Sequence, residues 1–281
     1  MIRIIINADD LGKDHETNLA IEKALKEGSI TSSTIMANSN TWDDVHSIIN
    51  DNPAASFGIH LNLTEGPALS KSNILFEAGI VDEKNFFTKK AKSLSSLNTS
   101  VKEAIFNEWD NQISKIINKE KINVSHLDGH HHIHMNPIYV SILKDLSQKY
   151  NIKYIRRKHN TWCPKSFKDK VTSSILSLYV SIPLLEIISC KVSKRFKNRI
   201  LNHKWIPYLN EVVGFTDFFN GYEQALELIK NGFYPPQDAI IELMCHPGHP
   251  SFAKEYELVN NHTIEKLMPN SKLFSYNNIK E

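Results

Sequence analysis

Ile2-Arg3-Ile4-Ile5-Ile6-Asn7-Ala8-Asp9-Asp10 opens the chain with a β-branched run that stops on two adjacent carboxylates. Such a run reads as a buried strand of a parallel sheet, because strands covered on both faces lose the apolar–polar alternation. Leu11-Gly12-Lys13 turns the chain. Thr17–Glu27 then sets Leu19, Ala20, Ala24 and Leu25 at helical spacing, with Gly28 as a C-cap. Outward from there, strands are expected at Ser32–Ala37, Ser56–Leu63, Asn123–Asp128, Lys153–Arg156 and Ala239–Met244. Helices are expected at Trp42–Asn50, Thr99–Lys119, Pro137–Lys149 and Glu223–Asn231. Repeated β–α alternation calls for parallel strands with crossover helices, and roughly seven such units favour a closed or nearly closed barrel over an open sheet. Two stretches break the rhythm, at about 65–100 and 160–207. Both are expected to be insertions over one face of a single α/β domain spanning residues 1–281.

Composition narrows the function. The 281 residues are 41% hydrophobic and 23% charged, with a formal net charge of +2. No basic excess points to nucleic acid. Lys191–Arg199 is a short basic run of the kind a solvated helix face carries. Cys163, Cys190 and Cys245 are few, odd in number and far apart, which fits a reducing compartment rather than a disulfide framework. The first apolar stretch is too short for a secretory signal. Val171–Cys190, the most apolar later segment, is interrupted by Pro183, Glu186 and serines, so a buried or amphipathic helix is expected there and no integral membrane span. A cytoplasmic location is the expectation, with a homodimer entertained as the assembly.

The 13 histidines stand out, because His126, His130, His131, His132 and His134 crowd into one short segment. Imidazole is a common metal ligand and acid–base group. Polar residues fall at strand ends: Asp9 and Asp10 after the first strand, His60 in Gly58-Ile59-His60-Leu61, His126, Asp128 and His130 in the cluster, and His246 in Met244-Cys245-His246-Pro247. In an α/β barrel the C-terminal strand ends converge on one rim, where active sites are built. Side-chain alternation puts His126, Asp128, His130, His132 and His134 on one face, leaving several histidines as rival ligands. Gly129 would allow close backbone approach at a crowded metal site. One carboxylate with two imidazoles suits Zn²⁺, Co²⁺, Fe²⁺ or Mn²⁺, and Mg²⁺ where oxygen fills the other positions. Neighbouring aspartates diverge at a strand end, so one is expected to bind the cation and the other to accept a proton. Each feature alone has a mundane reading, as a helix cap, a core histidine or a turn; together they describe one site.

Ile6-Asn7-Ala8-Asp9-Asp10-Leu11-Gly12, Gly58-Ile59-His60-Leu61-Asn62-Leu63-Thr64, Ser125-His126-Leu127-Asp128-Gly129-His130-His131-His132-Ile133-His134 and Glu242-Leu243-Met244-Cys245-His246-Pro247-Gly248 occur in that order. This set resembles the motifs of the YdjC-like (ChbG/HpnK-type) carbohydrate deacetylases, from Ile2 to about Gly248. The resemblance implies a distorted (β/α) TIM-like barrel and one divalent cation, Mg²⁺ or Zn²⁺, on Asp10, His60 and His130. It implies Asp9 as base, His246 as general acid and Arg156 near the base. It also implies removal of an N-acetyl group from an amino sugar or short chitooligosaccharide-like substrate.

On that reading water, deprotonated by Asp9, attacks the N-acetyl carbonyl docked at the cation, and His246 protonates the departing amine. Asp128 is expected to orient His246 or a metal-bound histidine, while His132 and His134 are candidates for substrate contact or support. Two other classes compete. A different metal hydrolase, an esterase or phosphoesterase, would be exposed by its released product. A silent sugar-binding protein on the same fold has no use for a base beside the ligand set.

Overall fold

The computed structural model describes residues 1–156, 218–230, 232, 234–235 and 240–279. Strand β1 runs Ile2–Leu11 and is followed by α1, His15–Lys26. The Asp14 carboxylate caps α1 by accepting the Thr17 N–H at 2.8 Å. The alternation continues with β2 (Ser32–Ile35), α2 (Trp42–Asp51), β3 (Ser56–Leu61), α3 (Asn73–Glu77), α4 (Thr99–Ser114), β4 (His126–Gly129), α5 (Val140–Lys149) and β5 (Tyr154–Ile155). After the break come β6 (Phe218–Gly221), α6 (Tyr222–Lys230), β7 (Ile240–Cys245), α7 (Ala253–Asn260), α8 (Thr263–Leu267) and β8 (Ser271–Leu273).

Among the described residues the strands of the sheet pair in parallel, in the order β5-β4-β3-β2-β1-β7-β6. β8 pairs with Ile2–Ile4 of β1, on the edge that β2 takes up from Asn7 onward. The sheet curls into a half-barrel, consistent with the distorted TIM-like barrel expected. The curl is visible in cross-barrel contacts. Arg156, just after β5, reaches Glu242 on β7 at 2.6 Å, although four strands separate them in the sheet. His126 of β4 reaches Asn7 of β1 at 3.2 Å. Outside the sheet, Ile4, Ile6, Ala8, Ile59, Leu61, Leu127, Ile241 and Leu243 form one apolar cluster with helix residues such as Ile21, Val45, Ile105 and Trp109.

Most expected elements lie within a few residues of their observed positions, and the differences have local causes. β3 stops at Leu61 rather than Leu63 because the Asn62 side-chain oxygen accepts the N–H groups of Thr64 and Glu65 and turns the chain. α4 stops at Ser114 and passes into a π-helical turn over Lys115–Lys119. The chain after β4 is a 3₁₀ segment, His130–Met135, with His131 and His132 at positive φ, so strand alternation ends at Gly129. The inserted stretch after Glu65 packs on the core through Leu75, Ile80, Val81 and Phe87. It is tied to α4 where the Glu108 carboxylate accepts the Leu69 and Ser70 N–H groups. The expectations for 160–207, including Val171–Cys190 and Lys191–Arg199, lie outside the described residues. No helix among the described residues is long and apolar enough to cross a membrane.

The barrel interior leaves no room beside Gly58. A Cβ there would lie 2.5–2.7 Å from the His126 ring, which is stacked on Tyr276 with centroids 3.9 Å apart and cannot retreat. Gly58→Ala should therefore destabilise the fold by about 1–3 kcal/mol, lowering Tm by several degrees; an unchanged melting curve would contradict this packing.

Candidate active site

Alternation along the strands selects the groups that face inward. Since Ile4, Ile6 and Ala8 of β1 face the helices, Asn7 and Asp9 face the interior; Ile59 and Leu61 likewise leave His60 facing in, and Leu127 leaves His126 and Asp128. Alternation would send Asp10 outward. Instead Asp10 has φ of +72°, and the β1–β2 register breaks between Ala8 and Leu11. This left-handed residue, a conformation Asp tolerates better than most, brings a second carboxylate to the same rim as Asp9. The expected divergence of the two aspartates is thus overcome by backbone geometry.

Asp9 is committed to Arg156. Its Oδ2 accepts Nη1–H at 2.8 Å and its Oδ1 accepts Nη2–H at 2.6 Å, with a further bond from Asn7 Nδ2 at 2.9 Å. The same guanidinium lies 2.7 Å from Asp128 Oδ2 and donates through Nε to Glu242 Oε1. His134 helps to set Arg156 in place, its Nε2–H donating to the Arg156 carbonyl at 2.9 Å. Burial pushes the Asp9 carboxyl up, but the Arg156 charge outweighs it and holds the pKa well below the usual carboxylate range. Glu242 behaves differently: burial prevails there and raises its pKa, and Tyr276 O–H donates to it at 2.7 Å.

Asp10 faces two imidazoles. Its Oδ1 is 2.8 Å from His130 Nδ1 and 3.2 Å from His60 Nε2. Neither approach has hydrogen-bond geometry, so this buried oxygen has no hydrogen-bond partner. The opposite nitrogen of each ring is taken: His60 Nδ1 donates to Asp128 Oδ1 at 2.6 Å, and His130 Nε2 donates to Glu65 Oε2 at 2.9 Å. Thr34 adds a hydroxyl bond to Asp128 at 3.0 Å. An oxygen and two ring nitrogens that converge without bonding one another form a donor set fitted to a divalent cation. Asp10, His60 and His130 offer ligand atoms within 4.8 Å of one another. Two neighbouring groups, Asp9–His60–Asp128 and Glu65–His130–His131, meet the same distance. The first is preoccupied by Arg156, however, and His131 Nδ1 meets the Thr64 hydroxyl at 2.9 Å.

Electrostatics point the same way. Asp9, Asp10, Asp128 and Glu242 are all buried, and among the described residues Arg156 is the buried Arg or Lys that faces them. Burial alone would depress the His60 imidazole, yet Asp128 and Asp10 push its pKa up to about 10. The carboxylates on either side of His60 thus favour positive charge at that point of the rim. His126 is the opposite case, since burial takes its pKa down to about 3. It is a neutral interior ring between Ser125, Asn7 and Tyr276, away from the Asp10 oxygen.

His246, after β7, completes the rim. Its Nε2 is 4.0 Å from Asp9 Oδ2 and its Nδ1 is 3.3 Å from Glu255 Oε1, which also accepts the His246 backbone N–H at 2.8 Å. The ring stacks on Phe252 with centroids 4.3 Å apart. Burial lowers the His246 pKa, but Glu255 and Asp9 reverse this and raise it.

Asp9, Asp10, His60, Asp128, His130, Arg156 and His246 are thus brought together. His134 is held back on Arg156, and the positive φ of His132 takes it off the shared face that alternation predicts. Asp128 pairs with His60 rather than His246. Gly129 serves His134 and β3, since a Cβ there would lie 2.8 Å from His134 Nδ1 and 3.0 Å from the Leu61 carbonyl. Residues not foreseen are Asn7, Glu65, Glu242 and Glu255. Alternation carried a signal for two of them, because Asn7 shares a face with Asp9 and Glu242 with Met244 toward His246. Glu65 and Glu255 come from a loop and a helix whose approach no local pattern announces.

Comparison with known proteins places these residues in context. The chain is 31% identical over 185 residues to a carbohydrate deacetylase of Clostridium beijerinckii, covering 66% of this chain and 72% of that one. It is 30% identical over 151 residues to a carbohydrate deacetylase of Brevibacillus brevis, covering 54% of this chain and 58% of its relative, less than two thirds. A crystal structure of a putative cellobiose-phosphate cleavage protein from Enterococcus faecalis V583 superposes with a TM-score of 0.69, covering 98% of this chain and 97% of that one. At 20% identity that likeness speaks for the fold. The model of the YdjC-like protein family matches residues 3–273, nearly the whole sequence, and the chain belongs to that family.

Proposed function

We propose that this protein is a metal-dependent carbohydrate deacetylase. It hydrolyses the N-acetyl group of an acetylated amino sugar or short chitooligosaccharide-like oligosaccharide, releasing acetate and the free amine. The observation that carries the proposal is the convergence of Asp10 Oδ1, His60 Nε2 and His130 Nδ1 beside an Arg156-clamped Asp9 and a Glu255-backed His246. Relatives named carbohydrate deacetylase support the reaction class.

Asp10, His60 and His130 hold one divalent cation, Mg²⁺ or Zn²⁺, which when bound polarises an amide carbonyl and acidifies water. Asp128 orients the His60 imidazole by taking the N–H on its far side. Asp9 accepts the proton of the attacking water. Arg156 keeps that carboxylate ionised and fixes its plane with two parallel bonds. Water oxygen bonds to the acetyl carbon, the C–N bond breaks, and protonated His246 supplies the proton to the amine nitrogen. Its raised pKa suits that donation, and Glu255 holds the ring in register with Asp9.

Two measurements bear on these roles. Asp9→Asn should retain the cation while acetate release falls by roughly 10²–10⁴-fold, whereas His130→Ala should lose both; full activity of Asp9→Asn across pH would refute the base assignment. Glu255→Gln keeps an oxygen for the His246 backbone but removes the charge that raises its pKa. Because the reaction needs His246 protonated, the alkaline limb of the kcat/KM profile should move to lower pH. An unmoved limb would exclude His246 as the acid.

A further inference from the structure

The two imidazoles of the ligand set are pinned from behind in different ways. His60 is backed by Asp128, which is fully enclosed in the barrel; His130 is backed by Glu65, whose side chain is 46% exposed at the rim. A half-exposed carboxylate on a loop would ordinarily wander. Here its backbone is fastened. The Glu65 carbonyl accepts bonds from Asn62 Nδ2 at 2.5 Å and Asn38 Nδ2 at 3.0 Å, and its N–H donates to Asn62 Oδ1 at 3.2 Å. Asn62 is itself anchored, its N–H donating to Gln112 Oε1 at 2.9 Å and its carbonyl accepting Gln112 Nε2–H at 2.8 Å. Gln112 in turn donates to buried Glu108 at 2.7 Å. A continuous polar chain thus runs from α4 through the loop to His130. Lys13 braces the far side, with Nζ 3.5 Å from Glu65 Oε1 and 3.8 Å from Asp10 Oδ2.

We infer that Glu65 is a positioning residue for the cation site: by accepting the His130 Nε2–H it fixes the ring's tautomer and rotation, so that Nδ1 presents its lone pair beside Asp10 and His60. This rests on the proposed metal site. Carboxylate partners of this kind typically govern metal affinity by 10–100-fold. The loop that carries Glu65 therefore sets the strength of cation binding from the mouth of the barrel.

Zn²⁺ affinity, measured by competition with a chromophoric chelator, tests the assignment without relying on activity. Wild type, Glu65→Ala, Glu65→Gln and Thr64→Val are compared, each checked for folding by circular dichroism. Thr64→Val disturbs the same loop, where its hydroxyl meets His131 and Asn62, without touching His130. Glu65→Ala should weaken Zn²⁺ binding by roughly 10–100-fold. Glu65→Gln, whose amide oxygen still accepts the N–H, should recover much of the loss, and Thr64→Val should bind as wild type does. Equal affinity of Glu65→Ala and wild type overturns the inference, as does an equal loss in Thr64→Val, which would assign the effect to the loop. Two Zn²⁺ equivalents in wild type and one in Glu65→Ala would make Glu65 a ligand of a second ion instead. Failure of the wild-type protein to bind Zn²⁺ or Mg²⁺ at all would remove the metal site itself, a separate result.

Discussion

Arg156 sits at the centre of the barrel and gathers carboxylates that lie far apart in sequence. Its guanidinium touches Asp9 from β1, Asp128 from β4 and Glu242 from β7. Buried charges are costly unless paired and fully hydrogen-bonded. The curl of the sheet and the orientation of Asp9 are therefore coupled: contacts on opposite flanks of the half-barrel are made by one side chain. His134 on the Arg156 carbonyl and Tyr276 on Glu242 complete the hydrogen bonding around this cluster.

Arg156 meets three buried carboxylates, and a fourth, Asp10, lies at the rim beside His60 and His130. Asp128 and Asp10 push the His60 pKa up to about 10 against the effect of burial. A divalent ion on Asp10, His60 and His130 would supply positive charge at the same place. The left-handed backbone at Asp10 makes this division of labour possible. Without it, one of two adjacent aspartates would point into the helix layer.

Much of this was legible in the sequence because strand alternation and strand ends are local properties. The Ile2–Asn7 run, the placement of His60, Asp128 and His246, and the β–α rhythm all follow from residue spacing. What was not legible depended on departures from regular backbone. Asp10 reaches the site through a positive φ, and His132 leaves the shared face where it and His131 both adopt positive φ. Glu65 and Glu255 arrive by tertiary packing, from a loop clamped by Asn62 and from a helix folded back over β7. The role expected for Gly129 shows the same limit: its missing side chain admits a histidine ring and a neighbouring carbonyl.

The proposed reaction is cleavage of an acetamide on a sugar with the help of one divalent cation. Acetate release from a panel of N-acetylated mono- and disaccharides, measured before chelation, after chelation and after adding back Mg²⁺ or Zn²⁺, tests it most directly. Release is expected from at least one amino sugar, with its loss on chelation and its recovery with the ion. Release that is indifferent to the chelator, or none from any N-acetylated sugar, would contradict it.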